Sequence, residues 1–491
     1  VNTPQPDGSA SGYTVHVRPV PAVSDPVAAF DSLFRARPAA FWLDSSRTGE
    51  GMGRFSVLGA AVGPLGRLVR YDVTSGLVVV HDADGVQVER RRETLFAHLA
   101  RELRVRAVPG TDLPCEFNLG YVGYLGYELK GDLGAPAAHR SPLPDGCVVF
   151  CDRALVLDAG TGQAWLLALS MPDTVDVALD WLARAETALA NQPLSTSDTL
   201  DHGAPVAFGW RHDLAHYRGL IAECLREIAA GESYEICLTN SISAPLDVDP
   251  WTVYRLLRRV NPAPYAAYLA FPGVAVLSSS PERFLRIDTD GNVESRPIKG
   301  TRRRVDDPVR DAAMVAALRG SEKDRAENLM IVDLVRNDLG SVAEAGSVHV
   351  PSLFHVETHP TVHQLVSTVR ARLRADVSPV TCVLAAFPGG SMTGAPKPRT
   401  MEIIDRLEGG ARGVYSGALG YFALSGAVDL SIVIRTMVVA DGVAEIGVGG
   451  AIVAQSDPDA EVDEIETKAA ALLRVLAIAA TSENRLDRQS I

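Results

Sequence analysis

No uninterrupted apolar run in these 491 residues reaches membrane-spanning length, so a transmembrane helix is not expected. Basic residues are the minority. Lys plus Arg number 47 against 60 Asp plus Glu, a net charge of −13, which argues against non-specific nucleic-acid binding but leaves room for a locally basic cleft that takes a small anion. Cysteine is scarce: Cys115, Cys147, Cys151, Cys224, Cys237 and Cys382 show neither metal-ligand nor disulfide spacing, so reduced, buried thiols are expected. The stretch 1–12 lacks both the basic segment and the apolar core of a leader peptide. Together these absences point to a cytoplasmic protein without a membrane or nucleic-acid partner.

Hydrophobic content of 47% and charged content of 22% read as a large globular chain. Helical spacing at 212–230, 250–259, 305–318, 321–339, 375–386, 396–407 and 459–480 alternates with strands. Several strands, such as Leu430–Val439 and Ala444–Ile452 around Asp441-Gly442, pair as hairpins. Antiparallel sheets with added helices indicate an α+β fold. Residues 1–12 read as a disordered tail and 13–191 as an N-terminal lobe. A Ser-, Thr- and Pro-rich linker follows at 192–205, then a catalytic lobe at 206–480 and a tail at 481–491.

The stretch Glu294-Ser-Arg-Pro-Ile-Lys-Gly-Thr-Arg302 follows a predicted hairpin. If Asp290 and Gly291 are its two loop residues, Glu282 faces Lys299 across the ladder. Such a pair reads either as an acid with a nucleophile or as a cross-strand ion pair. Arg296, Arg302, Arg303 and Arg304 are expected to lower the Lys299 pKa. On the helix opened by Ser321, Asp324 and Glu327 share a face; on the closing helix, capped by Asp457, Glu461, Glu464 and Lys468 do the same. Carboxylates from two helices form the oxygen-rich site that Mg²⁺ prefers, or else merely cap and solvate their helices. Arg435 is a charge in the apolar strand Ser431–Thr436 and calls for a partner. Ser391, Thr393 and Gly394 lie in a Gly-rich loop before a helix at Pro396, a place that favours an anion.

Five strings, read in order, resemble the chorismate-utilising enzymes. They are Ser279-Ser-Pro-Glu-Arg-Phe284, Arg296-Pro-Ile-Lys-Gly-Thr301, Asp324-Arg-Ala-Glu-Asn-Leu-Met-Ile-Val-Asp-Leu334, Gly389-Gly-Ser-Met-Thr-Gly-Ala-Pro-Lys397 and the helix from Glu461. The resemblance runs from about Phe41 to Leu476 and implies two intimately packed lobes with antiparallel sheets flanked by helices, as in anthranilate synthase component I. Lys299 stands where anthranilate synthases usually carry Ala and aminodeoxychorismate synthases carry Lys. The implied reaction makes 4-amino-4-deoxychorismate, a precursor of 4-aminobenzoate, from chorismate and ammonia. Lys299 is then the covalent nucleophile, Glu282 the general acid, and His363 the residue near the ring hydroxyl.

The resemblance further implies that Arg435, Tyr415, Gly449, Gly450, Ser391, Thr393, Gly394, Thr301 and Lys468 hold the substrate. Glu327 and Glu464 bind Mg²⁺, with Glu461 and Asp324 auxiliary. No cysteine lies in a Gly-x-Cys-x-Gly elbow, so ammonia implies a glutamine amidotransferase partner subunit. Glu235 occupies the position of the water-activating Lys of isochorismate and salicylate synthases, which speaks against hydroxylation. Phe41–Ser45 and Arg54–Gly59 resemble the segments of a tryptophan pocket, with Leu-Asp-Ser in place of the usual Leu-Glu-Ser. Anthranilate or 2-amino-2-deoxyisochorismate formation and a catalytically silent chorismate-binding subunit remain the alternatives.

Overall fold

The computed structural model describes residues 12–46, 52–192, 203, 205–359 and 362–489, with side chains to 481. Most of the expected N-terminal tail and of the 192–205 linker lies outside the described residues. Among the described residues, two twelve-stranded antiparallel sheets make the frame. The first runs Thr14–Val20, Ala164–Ser170, Arg153–Asp158, Phe55–Ala60, Ala40–Asp44, Tyr265–Phe271, Val274–Ser280, Thr436–Ala440, Val443–Ile452, Glu235–Pro245 and Gly209–Trp210, with Gly394–Ala395 added on Glu235–Pro245. The second runs from Ile298–Arg303 through Val362–Arg372, Asn292–Ser295, Arg283–Ile287, Val428–Ile432, Ala418–Ala423 and Gly120–Leu125 to Gln87–Arg92. Each sheet takes strands from both sides of the 192–205 segment.

Strand alternation builds two cores. Phe41, Val57, Val156, Leu269 and Val276 point at the second sheet and join Val69, Tyr121, Val148 and Leu430. Their neighbours Trp42, Leu58, Leu155, Tyr268 and Leu277 point the other way, under helices Pro26–Leu33, Leu214–Ala229, Pro250–Val260 and Pro458–Gln489. The closing helix is longer than its spacing predicts, so the expected tail from 481 is helical to Gln489. All six cysteines are free and five are buried. Among the described residues no helix is long and apolar enough to cross a membrane.

The chain changes sheets twice near one point. Val274–Ser280 belongs to the first sheet and Arg283–Ile287 to the second, so Pro281 and Glu282 form one crossing. Val433 to Arg435 forms the other, between Val428–Ile432 and Thr436–Ala440. The two crossings are tied together. The Ser280 hydroxyl donates to the Ile432 carbonyl at 2.6 Å, the Ile432 amide to the Glu282 carbonyl at 3.0 Å, and the Ser279 amide to the Arg435 carbonyl at 3.1 Å. The single strand expected through Arg435 is therefore broken there, and Arg435 takes the left-handed φ of 52°.

The hairpin register also differs from expectation. The Asp288 carboxylate accepts from the amides of Asp290 and Asn292, which lengthens the loop, and Arg286 pairs with Glu294, Ile287 with Val293. Beyond Pro297 the chain leaves this ladder. Ile298–Arg303 pairs with Val362–Arg372 instead, so Glu282 and Lys299 are not cross-strand partners.

Candidate active site

Lys299 sits on a bulge. Ile298 pairs with Val366 but Thr301 with Gln364, leaving one extra residue at Lys299-Gly300. Such an insertion re-aims a side chain. Gly300 has φ +79°, and a Cβ there would come within 2.8 Å of Asp324 on the helix Glu322–Gly340, so only glycine fits the bend. The re-aimed ammonium meets Glu235, with Lys299 Nζ 2.8 Å from Glu235 Oε1. Glu235 is fully buried and its Oε2 has no hydrogen-bond partner among the described residues. Burial disfavours the Lys299 charge, but the Glu235 and Glu327 carboxylates outweigh it and hold the amine above the ordinary lysine value.

That reverses the expected effect of the neighbouring arginines. Arg296 pairs with Glu357, Arg302 with Asp324 at 2.7 Å and Arg304 with Asp311 at 2.8 Å, so their charge is spent on carboxylates of their own. Arg303 is exposed.

Glu282, at the first crossing, shares the site with Lys299 although not its ladder. Burial pushes its carboxyl up to about 7, against the Ser391 hydroxyl, the Lys299 ammonium and the Ile298 amide, which favour ionisation. The loop that carries Ser391 is fixed by Thr393, which is buried and whose carbonyl accepts from the Cys237 amide at 2.9 Å. Gly394 pairs with Ile236, and a Cβ on it would fall 1.8 Å from the Glu235 carbonyl oxygen. The Gly-rich string thus lies hard against the strand that carries Glu235.

The two acidic helices do converge. Lys323 bridges them: its Nζ lies 2.7 Å from Glu461 Oε1 and 3.7 Å from Glu327 Oε1. Glu461 also accepts from the Ser456 hydroxyl at 2.6 Å. Lys468 Nζ is 2.5 Å from Glu464 and donates to the Gly449 carbonyl at 2.7 Å. Gly450 leaves space under these acids, since a Cβ there would stand 2.9 Å from Glu461 Oε2 and 3.9 Å from Glu464 Oε1. Burial, with Glu235 and Glu464 adding to it, lifts Glu327 to about 7 despite Lys299 and Lys323. Burial raises Glu464 as well, but Lys468 keeps it below the usual carboxylate range.

As they stand, no three acidic, His or Cys side chains among the described residues are placed to share a metal ion. The donor set nonetheless suits a hard divalent cation. It is all carboxylate oxygen, and the Lys323 ammonium already occupies a cation position between two helices. Asp324 is not part of this group, because Arg302 engages its carboxylate.

Arg435 makes no ion pair or side-chain hydrogen bond among the described residues, and burial lowers its pKa against the influence of Tyr415 and Glu464. Tyr415 packs on Gly447, where a Cβ would come within 2.1 Å of the ring. Two expected residues stand apart. Thr301 is exposed on its strand. His363 is buried with Nε2 3.0 Å from Asp311 and Nδ1 2.9 Å from the Thr358 hydroxyl, and neither contact is to Lys299 or Glu282.

Glu235 as the partner of Lys299, and Lys323 as the bridging cation, are what sequence reasoning missed. The spacing of Lys323 and Glu327 on one helix could have given the second; nothing local announces the first. The segments resembling a tryptophan pocket line one cavity of about 310 Å³ with Tyr265, Arg283 and Asp429. Asp44 there is engaged by Arg258 at 2.8 Å and the Tyr254 hydroxyl at 3.1 Å.

A profile of the chorismate binding enzymes matches residues 39–474. The chain is 59% identical over 97% of its length to an aminodeoxychorismate synthase of Streptomyces pristinaespiralis, of which the match covers 67%. It is 41% identical over 78% of its length to aminodeoxychorismate synthase component 1 of Klebsiella aerogenes, covering 82% of that protein. Among solved structures, anthranilate synthase component I from Streptococcus pneumoniae superposes with a TM-score of 0.74 at 26% identity, over 86% of this chain and 92% of that one. The chain spans between 49% and 67% of the length of four curated relatives.

Proposed function

This chain belongs to the chorismate binding enzymes, and we propose that it converts chorismate and ammonia to 4-amino-4-deoxychorismate through a covalent intermediate on Lys299. The observation that carries this reading is the largely buried Lys299 amine in one site with Glu282, a carboxyl held near 7. The amine attacks C2 of the ring, the double bonds shift, and the C4 oxygen leaves with a proton from Glu282. Ammonia then adds at C4 and expels the lysine. The high identity to proteins named aminodeoxychorismate synthase supports this outcome over anthranilate.

Arg435, without an ion-pair partner among the described residues, takes one carboxylate of the dianionic substrate, and Tyr415 orients it. Lys468 and the Gly449–Gly450 backbone face the other. Glu235, Glu282, Glu327, Glu461 and Glu464 oppose Lys299, Lys323, Lys468 and Arg435, so a dianion leaves negative charge in excess. Glu327 and Glu464, with Glu461, would hold Mg²⁺, which when bound supplies countercharge to the ring carboxylate. Ammonia would come from a glutamine amidotransferase partner, in keeping with the name component 1 carried by the Klebsiella relative.

Mass analysis of the product from chorismate, ammonium and Mg²⁺ tests the reading. The expected product is 4-amino-4-deoxychorismate; anthranilate, or no turnover, would overturn it.

A further inference from the structure

We infer that Glu235 is the base that takes the proton from Lys299 and so makes the amine, rather than a water, the nucleophile. This rests on the covalent reading above. The nucleophile needs a lone pair, yet the Lys299 amine is buried beside carboxylates that favour its charged form. Around it stand Glu235 and Cys237 from the strand Glu235–Pro245, Glu327 from the helix Glu322–Gly340, and Glu282 at the sheet crossing. Of these carboxylates only Glu235 is within ion-pair distance, at 2.8 Å.

Its second oxygen, Oε2, is buried without a partner among the described residues and so has an open position for a proton. The residue is held from both sides. The Ser233 hydroxyl donates to the Glu235 carbonyl at 2.9 Å, the Tyr234 amide donates to Ala395 at 2.8 Å, and Gly394 packs against the same carbonyl. These contacts fix the backbone that carries the carboxylate, and the carboxylate itself is buried against the amine.

The step balances within the site. The Lys299 ammonium gives a proton to Glu235, and the freed lone pair forms the N–C2 bond. The C4–O bond breaks, and the leaving oxygen takes the Glu282 proton and departs as water. The adduct nitrogen is a secondary ammonium. Ammonia forms the C4–N bond, the N–C2 bond breaks, and Lys299 leaves as a neutral amine that recovers its proton from Glu235. The new C4 ammonium returns a proton to Glu282.

Because the proton stays inside the Lys299–Glu235 pair, wild-type turnover does not depend on bulk deprotonation of the lysine. Glu235→Gln keeps the shape but cannot accept the proton, so its lysine must lose it to solvent. The ratio of variant to wild-type kcat, taken at equal ammonium and pH, is expected to be down about 10²–10³-fold at pH 7. It should rise about tenfold per pH unit, with KM for chorismate within about threefold. The Lys299 adduct, trapped with chorismate in the absence of ammonia and located by peptide mass, should return at alkaline pH in step with the rate. Taking the ratio cancels any limb due to Glu282.

A flat ratio near one overturns the inference. So does a Glu235→Gln enzyme that binds chorismate but stays inactive at every pH. Glu235→Asp retains a base, so its ratio should be lowered but flat, and a slope there also counts against the proposal. Lys299→Ala separates the two failures. If it still makes product, the covalent reading itself is wrong. If it is inactive while Glu235→Gln behaves as wild type, only the base assignment falls.

Discussion

Glu282 meets two opposed demands at one atom pair. A proton donor near neutral pH needs a carboxyl lifted far above its ordinary value, and burial supplies that by disfavouring the charged form. The same burial destabilises the fold once the unfolded chain can ionise. Between about 4.5 and 7 the unfolded state releases its proton and the native state keeps it, so stability falls as pH rises through that window and stays lower above it. Glu282→Gln should therefore lose about 10²–10⁴-fold in kcat. It should also gain on the order of 3 kcal/mol at pH 8 relative to wild type, and none at pH 4. Urea unfolding at both pH values checks this, and an equal difference at both would show that Glu282 does not titrate as described. Arg435 tests differently. Its guanidinium has no protein partner among the described residues, so Arg435→Lys should raise KM for chorismate about tenfold or more and leave kcat less affected.

The elements that hold these residues were legible to different depths. Caps could be read directly: Ser321 accepts from the Asp324 amide at 3.2 Å and Asp457 from the Ala460 amide at 3.0 Å, because both rules depend on neighbours in sequence. That Glu461 and Glu464 share a face was legible from their i, i+3 spacing, but that the two acidic helices face each other rested on the resemblance, and Asp324, the i, i+3 neighbour of Glu327, is engaged by Arg302 instead. The Glu282–Lys299 register was not, because one side-chain carboxylate, Asp288, lengthens the turn and a bulge at Gly300 re-aims the lysine. Neither leaves a periodic trace, and the pairing with Glu235 joins strands of two different sheets, a contact that exists only in the folded molecule.

Two element-level tests follow from this placement. Gly394→Ala must push apart two backbones already in contact, and should lower stability by about 2–4 kcal/mol. That loss is readable as an earlier urea midpoint, whereas an unmoved midpoint would mean the loop can shift freely. On the helices, Glu327→Gln and Glu464→Gln should each raise the Mg²⁺ concentration for half-maximal activity about tenfold. Lys323→Met should lower it, since its ammonium competes for the same oxygens. An opposite sign for Lys323→Met would remove the cation from that position.

At the scale of the whole molecule, the sequence divides at 192–205 but the sheets do not. Ala40–Asp44 is hydrogen-bonded on one side to Phe55–Ala60 and on the other to Tyr265–Phe271. Gly120–Leu125 likewise pairs with Ala418–Ala423 from the far end of the chain. The core between the sheets mixes both halves residue by residue, as Phe41 with Leu269 and Tyr121 with Phe422. A fragment starting at 206 would expose the edges of Tyr265–Phe271 and Ala418–Ala423, together with the apolar faces they cover, and open edges of that kind aggregate. The residues proposed to act in catalysis all lie after 206, so a reading by lobes expects this fragment to fold and bind chorismate. The topology predicts that it does neither alone, and that residues 1–205 supplied as a second chain during refolding restore chorismate binding. Limited proteolysis and binding measurements on the fragment, with and without its complement, decide between them. A soluble, protease-resistant fragment that binds chorismate by itself would show that the two sheets are separable despite sharing strands.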